Sequence, residues 1–518
     1  MIQAGEPAEG VAARTRRPVD LAVAGMLAAA ALALYVATLA PTVLPGDPGE
    51  FQFVPPLLGI AHPTGYPLYC LLGGAWSRLP LASPLAAPVA DVAYRMNLFS
   101  AVAAALAAGL AYPTILAVLR QAVPDLGPTP RRLVGVLAAA VLAVTPTLWS
   151  QAVIAEVYGL NTLLVVGLLW ALLAWGEEGR RTWLTLAALC FGLGLAHHST
   201  MLLWAPAGLA YAWLSWPGRR AREAAGAAPG RGVAGWLLLA ACSLGPLLLY
   251  AYVPLRAPHT PYLRQSLDAG RELVLYENTL DGLVDMVTGG PFGGAVDLSV
   301  NLGERLAMAF GLLWNEVGWA GLALALAGIV RLAVPGAAPG RRRLLALTGL
   351  AAAALLAFNL VYTIGDIYVL FIPFYVIVIL WLAVGAGGLL ALVERAPLAA
   401  SGGGRFPWAA AAAIALLLLP LALARRGYPA IDQSANVGAQ EDWEAILARP
   451  LPAGAVLLSD DRNDMMPLWY LQYVHGRRPD LLGLFPLITA EQPTLGSILD
   501  LALSTGRPVS MARCRPQP

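Results

Sequence analysis

The chain has 518 residues, 58% hydrophobic and only 12% charged, with 33 basic against 31 acidic side chains. Soluble domains run at about 45–50% apolar and about 25% charged, so an ordinary soluble enzyme is excluded and a protein of many membrane spans is implied. A net charge of +2 leaves no footprint for nucleic acid, and Cys70, Cys190, Cys242 and Cys514 have neither disulfide nor metal-ligand spacing.

Residues 1–18 are polar and carry Arg14, Arg16 and Arg17; Leu21 to Ala40 is then apolar throughout. A secretory signal has an apolar core of about 7–15 residues, so this longer run reads as an uncleaved first span. Further spans are expected near 96–119, 133–149, 157–175, 182–197, 199–216, 234–254, 305–331, 344–363, 367–393 and 407–424. That makes about eleven.

Arginine supplies the orientation, because the chain contains no lysine. With the N-terminus cytoplasmic, the inside loops hold Arg120, Arg131, Arg132, Arg180, Arg181, Arg219, Arg220, Arg222, Arg231, Arg331, Arg341 to Arg343, Arg395 and Arg405. The outside loops are richer in acids, as the positive-inside rule asks. This predicts a multi-pass protein of the inner (plasma) membrane with its C-terminus extracytoplasmic.

Two outside segments, 41–95 and 255–304, are too long to be linkers. The first holds an apolar stretch, Pro67 to Leu79, too short for a span and expected to lie on the membrane or re-enter it. From about Arg425 the composition shifts. Ala455–Ser459, Asp480–Phe485 and Pro508–Ala512 read as strands, and Met465–Val474 and Leu495–Leu503 as helices. The predicted architecture is an all-α membrane domain over 19–424 and a small extracytoplasmic α/β domain over 425–518, open to truncation because it ends soon after a strand-like run.

The densest ionisable chemistry follows the first span, in P-G-D-P-G-E-F (Pro45 to Phe51) and A-H-P-T-G-Y-P-L-Y (Ala61 to Tyr69). Carboxylates beside hydrocarbon cost several kcal/mol unless solvated, paired or used. Two readings of Asp47 and Glu50 stay open: a capping box with Asp47 as N-cap, Pro48 at N1 and Glu50 at N3, or acids facing a cavity. The prolines and glycine of the second motif fix a non-helical turn that can aim His62, Tyr66 and Tyr69 at one point. Asp47, Glu50 and His62 also offer a weak signal for a divalent cation.

Further candidates lie on the same side. Glu156 stands where a helix re-enters the membrane, with Tyr158 and Asn161 close in sequence, and serves either as a helix-start charge or as a site residue. Of the adjacent His197 and His198, at most one is expected to line a cavity. Arg256 is an outside arginine against the charge rule and a candidate for an anionic phosphate. Asp366 reads as a turn residue.

The motifs P-T-V-x-x-G-D-P-G-E-F, A-H-P-T-G-Y-P-L-Y, M-N-L-F-S-A (Met96 to Ala101) and A-E-V-Y-G-L-N resemble a bacterial multi-spanning family. That family is related to the eukaryotic endoplasmic-reticulum protein O-mannosyltransferase of glycosyltransferase family 117. The tail motif L-W-Y-L-Q-Y-V-H-G-R-R-P-D-L (Leu468 to Leu481) is similar too. The resemblance implies a GT-C bundle whose first outside loop carries a catalytic acid, placed at Asp47 with Glu50 as its neighbour. It places Asn97 within the matching block. It implies a polyprenyl-phosphate sugar as donor, mannose-like, with a protein or glycan hydroxyl as acceptor, and no cofactor.

The expected activity is hexosyl transfer at the extracytoplasmic face. Its rivals are a transporter or flippase of lipid-linked sugar and a non-catalytic assembly protein using its tail. A transport path wants acids within the spans, whereas here they gather at one face.

Overall fold

The computed structural model describes residues 8–80, 91–224, 233–395 and 408–512. Cys514, Arg231 and Arg405 fall outside them. Every expected span has a helix at its place, because each apolar run is poor in charge and a helix satisfies every backbone group within the segment.

The bundle begins with α1 (Ala8–Ala37), whose Pro18–Ala37 portion can cross a membrane. Two short loop helices follow, α2 (Gly46–Leu57) and α3 (Pro67–Ser77). The stretch at 67–79, expected to lie on or re-enter the membrane, is thus a helix of 11 residues. Next come α4 (Val92–Ala122), α5 (Pro128–Val144), α6 (Pro146–Ala152), α7 (Tyr158–Glu178), α8 (Arg181–Leu195), α9 (Ala205–Ala224) and α10 (Val233–Leu244). Pro146 cannot continue α5, and the chain bends by 61° into α6.

After α11 (Tyr252–Arg256), a two-stranded antiparallel hairpin, β1 (Arg264–Ser266) and β2 (Glu272–Val274), and α12 (Leu280–Thr288) build the second long inter-span segment. The bundle closes with α13 (Leu302–Ala333), α14 (Pro339–Val361), α15 (Ile367–Leu370), α16 (Ile372–Arg395), α17 (Trp408–Leu416) and α18 (Leu418–Ile431). Helices α4, α7 and α16 form its interior, with most of each buried, while α1 lies at the periphery.

Among the described residues, eight helices are long and apolar enough to cross a membrane, or nine if the bent α5–α6 pair is one span. That is fewer than the eleven expected. Helix α8 has only 15 residues. The segment at 199–216 opens as a tight turn, Ser199–Trp204, and its helix α9 runs on into Arg219, Arg220 and Arg222. The helices are where hydropathy puts them; the short length of α8 and the arginine-bearing end of α9 set the smaller number.

The tail has the expected alternation. After α19 (Gly438–Leu447) come β3 (Val456–Leu458), α20 (Arg462–Tyr473), β4 (Leu482–Leu484), α21 (Leu495–Ser504) and β5 (Val509–Met511). The strands form one parallel sheet in the order β4-β3-β5, with Val456 opposite both Leu482 and Val509. The two apolar strands β3 and β4 are fully buried, as strands of a covered parallel sheet are. The change of character expected at Arg425 falls inside α18, so the tail unit starts only after Ile431.

This unit is anchored to the two long inter-span segments. Gly49 of α2 approaches α20 so closely that an added Cβ would stand 2.9 Å from Met466 Cβ. The Tyr470 hydroxyl donates to Asp91, which also caps α4 through Ala93 N at 2.8 Å. From the hairpin, Arg271 donates to Ser504 O at 2.8 Å, and Arg507 returns a bond to Ser266 O at 3.1 Å.

Candidate active site

Helix α2 begins with Pro45 as its cap residue and makes no side-chain cap hydrogen bond. Gly46 has φ +73, a left-handed conformation that glycine adopts without a steric penalty, so Asp47 lies in the first turn rather than at the cap. The capping-box reading is therefore corrected. Both carboxylates are released from helix capping and face partners elsewhere.

Glu50 is buried, 6% exposed, and fully engaged. His62 N donates to its Oε1 at 2.8 Å, and His62 Nδ1 stands 2.7 Å from Oε2. The guanidinium of Arg462, the first residue of α20, bonds the same Oε2 through Nη2 and reaches Asp47 Oδ1 through Nη1 at 2.6 Å. Burial alone would raise the Glu50 pKa, but the charges of His62 and Arg462 outweigh it and hold the carboxyl down at about 2. Burial likewise opposes a charge on His62, yet Glu50 and Asp47 together raise its pKa above the usual imidazole value. The result is a fixed lattice of two acidic side chains, an imidazole and a guanidinium.

Asp47 opens from this lattice into a cavity of about 310 Å³, lined also by His62, Tyr66, Tyr158, His198, Thr200 and Asp366. That volume lies at the lower end of the small-ligand range, about 300–1,000 Å³. Tyr66 has φ +44 at the cap of α3, which turns its ring against Phe51 at 5.4 Å and His198 at 6.3 Å. Tyr158, the first residue of α7, meets His198 at 5.8 Å. Thr200 N and Oγ1 lie 3.4 and 2.9 Å from His198 Nδ1. The backbone N–H can only donate, so Nδ1 accepts and Nε2 carries the proton. Burial and the neighbouring His197 lower the His198 pKa to about 3, which keeps the ring neutral.

Several expected residues stand behind the cavity instead of in it. His197 is buried and donates Nε2 to Val157 O at 2.9 Å, its ring stacked on Tyr69. Tyr69 is itself fully buried, 3.5 Å from Ser100 Oγ. Asn97 donates to Ala40 O at 2.9 Å and accepts from Gln52 at 2.8 Å, tying α2 to the bundle. Asn161 is buried in the first turn of α7. Arg256 is corrected most clearly: it donates to Leu58 O at 2.7 Å and Leu57 O at 3.2 Å, so it caps the C-terminus of α2.

Glu156 is buried just ahead of α7 and accepts from Val157 N at 3.3 Å. Burial first, and then the charge of Asp47, push its pKa well above the carboxylate range. Asp366, read as a turn residue, lines the cavity, and burial followed by Asp47 raises its pKa too. Arg462 went unsuspected. Its only signal was an arginine in an outside segment, inside the acid-rich run D-D-R-N-D (Asp460 to Asp464).

Ligand atoms of Asp47, Glu50 and His62 lie within 4.8 Å of one another, a spacing that suits a divalent cation. The donor set nevertheless does not fit one as it stands. Arg462 already bonds both carboxylates, and His62 spends Nδ1 on Glu50.

Residues 47–217 match the family described as Protein O-mannosyl-transferase TMEM260 N-terminal domain. The mouse Protein O-mannosyl-transferase TMEM260 is 34% identical over 181 residues, 34% of this chain and 23% of that protein. The Dictyostelium discoideum protein of the same description is 27% identical over 136 residues, 26% of this chain and 15% of that one. The chain thus covers less than a quarter of either relative's length. Among solved structures, ArnT from Cupriavidus metallidurans bound to undecaprenyl phosphate aligns over 93% of this chain and 89% of its own, with TM-score 0.52 and 13% identity. The Archaeoglobus fulgidus oligosaccharyltransferase complex with Zn and sulfate aligns over 94% of this chain and 67% of its own, with TM-score 0.52 and 12% identity. The chain has the GT-C fold, and its segment 47–217 is similar to the N-terminal domain of Protein O-mannosyl-transferase TMEM260.

Proposed function

We propose that this protein is a membrane glycosyltransferase that moves a sugar from a polyprenyl-phosphate donor to an acceptor hydroxyl at the extracytoplasmic face. The observation that carries the reading is the state of Asp47. One of its oxygens is held by Arg462, while its side chain lines a small cavity roofed by tyrosines and histidines. The similarity to O-mannosyl-transferases supports a mannose-like sugar and a protein acceptor. The fold shared with ArnT, whose structure holds undecaprenyl phosphate, supports a lipid-linked donor.

The chemistry follows from the placement. Asp47 Oδ1 is occupied by Arg462, so Oδ2 receives the proton of the acceptor hydroxyl. The acceptor oxygen bonds to the anomeric carbon as the bond from this carbon to the phosphate oxygen breaks, and the lipid phosphate departs with the bonding electrons. General-base assistance of this kind contributes about 10²–10⁴-fold. The leaving charge meets Nε2–H of neutral His198 and the remaining N–H of the His62 imidazolium. Fixed donors aimed at developing charge matter by about 3–4 kcal/mol. Glu50 positions both His62 and Arg462 and does not face the substrate.

Arg256 turns Nε and Nη2 to the C-terminal carbonyls of α2 and is not among the residues that line the cavity, so it is not assigned to the phosphate. The test is to incubate the purified protein in vesicles with radiolabelled polyprenyl-phosphate mannose and acceptor protein. Label in a new protein product supports transfer. Label that only crosses the bilayer supports a flippase and overturns the reading.

A further inference from the structure

The carboxylate pair at the cavity is completed by a residue from the opposite end of the chain. Asp47 and Glu50 sit one helical turn apart on α2, and two acids that close need a counter-charge to stay ionised together. In sites of this kind a divalent cation at about 2.0–2.6 Å from carboxylate oxygens is one solution. Here the space between them holds Nη1 and Nη2 of Arg462, with one nitrogen on each carboxylate.

Resting on the reading of Asp47 as the base, we propose that Arg462 does the work of a divalent cation in this site. Its guanidinium fixes Asp47 and Glu50 side by side, so the catalytic centre is assembled by docking of the tail unit and not by a metal. A guanidinium suits the task because it stays charged at any working pH and binds in a planar fork. Arg462 is therefore a positioning residue.

Its own placement is determined by the fold. It begins α20 directly after the central strand β3 and the linker Ser459–Asp461, at the carboxyl end of a parallel sheet. That edge is where ligands of open α/β sheets gather; in this chain it is turned onto α2 instead. Asp461 accepts from Asn463 N at 2.8 Å and starts the helix, while Gly49 against Met466 and Tyr470 on Asp91 hold α20 in register. The cap, the close approach and the hydroxyl contact are separate anchors for one guanidinium.

The test is Mn²⁺ binding, read by electron paramagnetic resonance on chelator-treated full-length protein in detergent. Wild type, Arg462→Ala, Arg462→Lys and the double variant Arg462→Ala/Glu50→Gln are compared, each checked by thermal melt. The proposal expects no stoichiometric Mn²⁺ on wild type and at least tenfold tighter binding on Arg462→Ala, lost again in the double variant. It expects transfer by wild type to be insensitive to EDTA. Arg462→Ala should drop kcat about 100-fold with the donor KM within about threefold, and Mn²⁺ or Arg462→Lys should restore part of the loss. Wild type that binds Mn²⁺ as tightly as Arg462→Ala, or that loses transfer to EDTA, overturns the proposal. So does a folded Arg462→Ala that gains no Mn²⁺. If wild type transfers no sugar at all, the functional reading fails, while the binding comparison still decides the role of Arg462.

Discussion

The imidazole Nδ1 of His62 stands 2.7 Å from the carboxylate of Glu50, so the two motifs that follow the first span close on each other as a single hydrogen-bonded unit. Glu50 also receives Arg462 and is almost fully buried. Removing one partner from a buried ion pair costs about 3–5 kcal/mol, because the other charge is left uncompensated. Glu50→Gln keeps the shape and one acceptor, so a loss of about 3 kcal/mol is expected. The measurement is a lower detergent melting temperature together with lost transfer.

Gly49 is the tight point of the docking between loop and tail. An added methyl would stand 2.2 Å from Leu44 O and 2.9 Å from Met466 Cβ. Overpacking of this kind costs about 1–3 kcal/mol. Gly49→Ala is expected to loosen α20 from α2, and limited proteolysis should then cut the segment around 432–455 several times faster than in wild type.

Glu156 gives the pH dependence. Its folded pKa is raised, by burial first and by Asp47 second. A raised carboxyl contributes stability that is complete below the unfolded value near 4.5 and is lost as pH rises toward the folded value. Each tenfold gain in proton affinity is worth about 1.4 kcal/mol. Wild type should therefore lose melting temperature from about pH 5 upward, and Glu156→Gln, which cannot ionise, should flatten that decline.

His198 and Arg256 separate site from scaffold. His198 lines the cavity with a free Nε2 donor, whereas Arg256 donates to Leu57 O and Leu58 O. His198→Ala should lower kcat about 10²–10³-fold with the melt little changed. Arg256→Ala should leave kcat within about twofold and cost about 1 kcal/mol of stability through lost caps. Steady-state kinetics and melts on the two variants check both halves.

The helices of the bundle were legible because apolar length and arginine placement obey strong physical constraints, and the strands of the tail because Val456–Leu458 and Leu482–Leu484 are short apolar runs between turn signals. Asp47, Glu50 and His62 were legible as a cluster because charge is scarce near hydrocarbon. Their partner was not. Arg462 lies 412 positions from Glu50, and nothing local tells an arginine that crosses a domain contact from one in water. Arg256 reads differently for the converse reason: an arginine in a loop can be turned to backbone carbonyls instead of a cavity. Asp366 was passed over because a short turn between two long helices gives no sign of the cavity beneath it.

The account stands most directly on the carboxylate of Asp47. Purified wild type and Asp47→Asn are compared for transfer of labelled mannose from polyprenyl phosphate to acceptor protein, with thermal melts alongside. The proposed role of Asp47 predicts a loss of about 10²–10⁴-fold in turnover with the melt nearly unchanged. Turnover within a few-fold of wild type by a well-folded Asp47→Asn would contradict it.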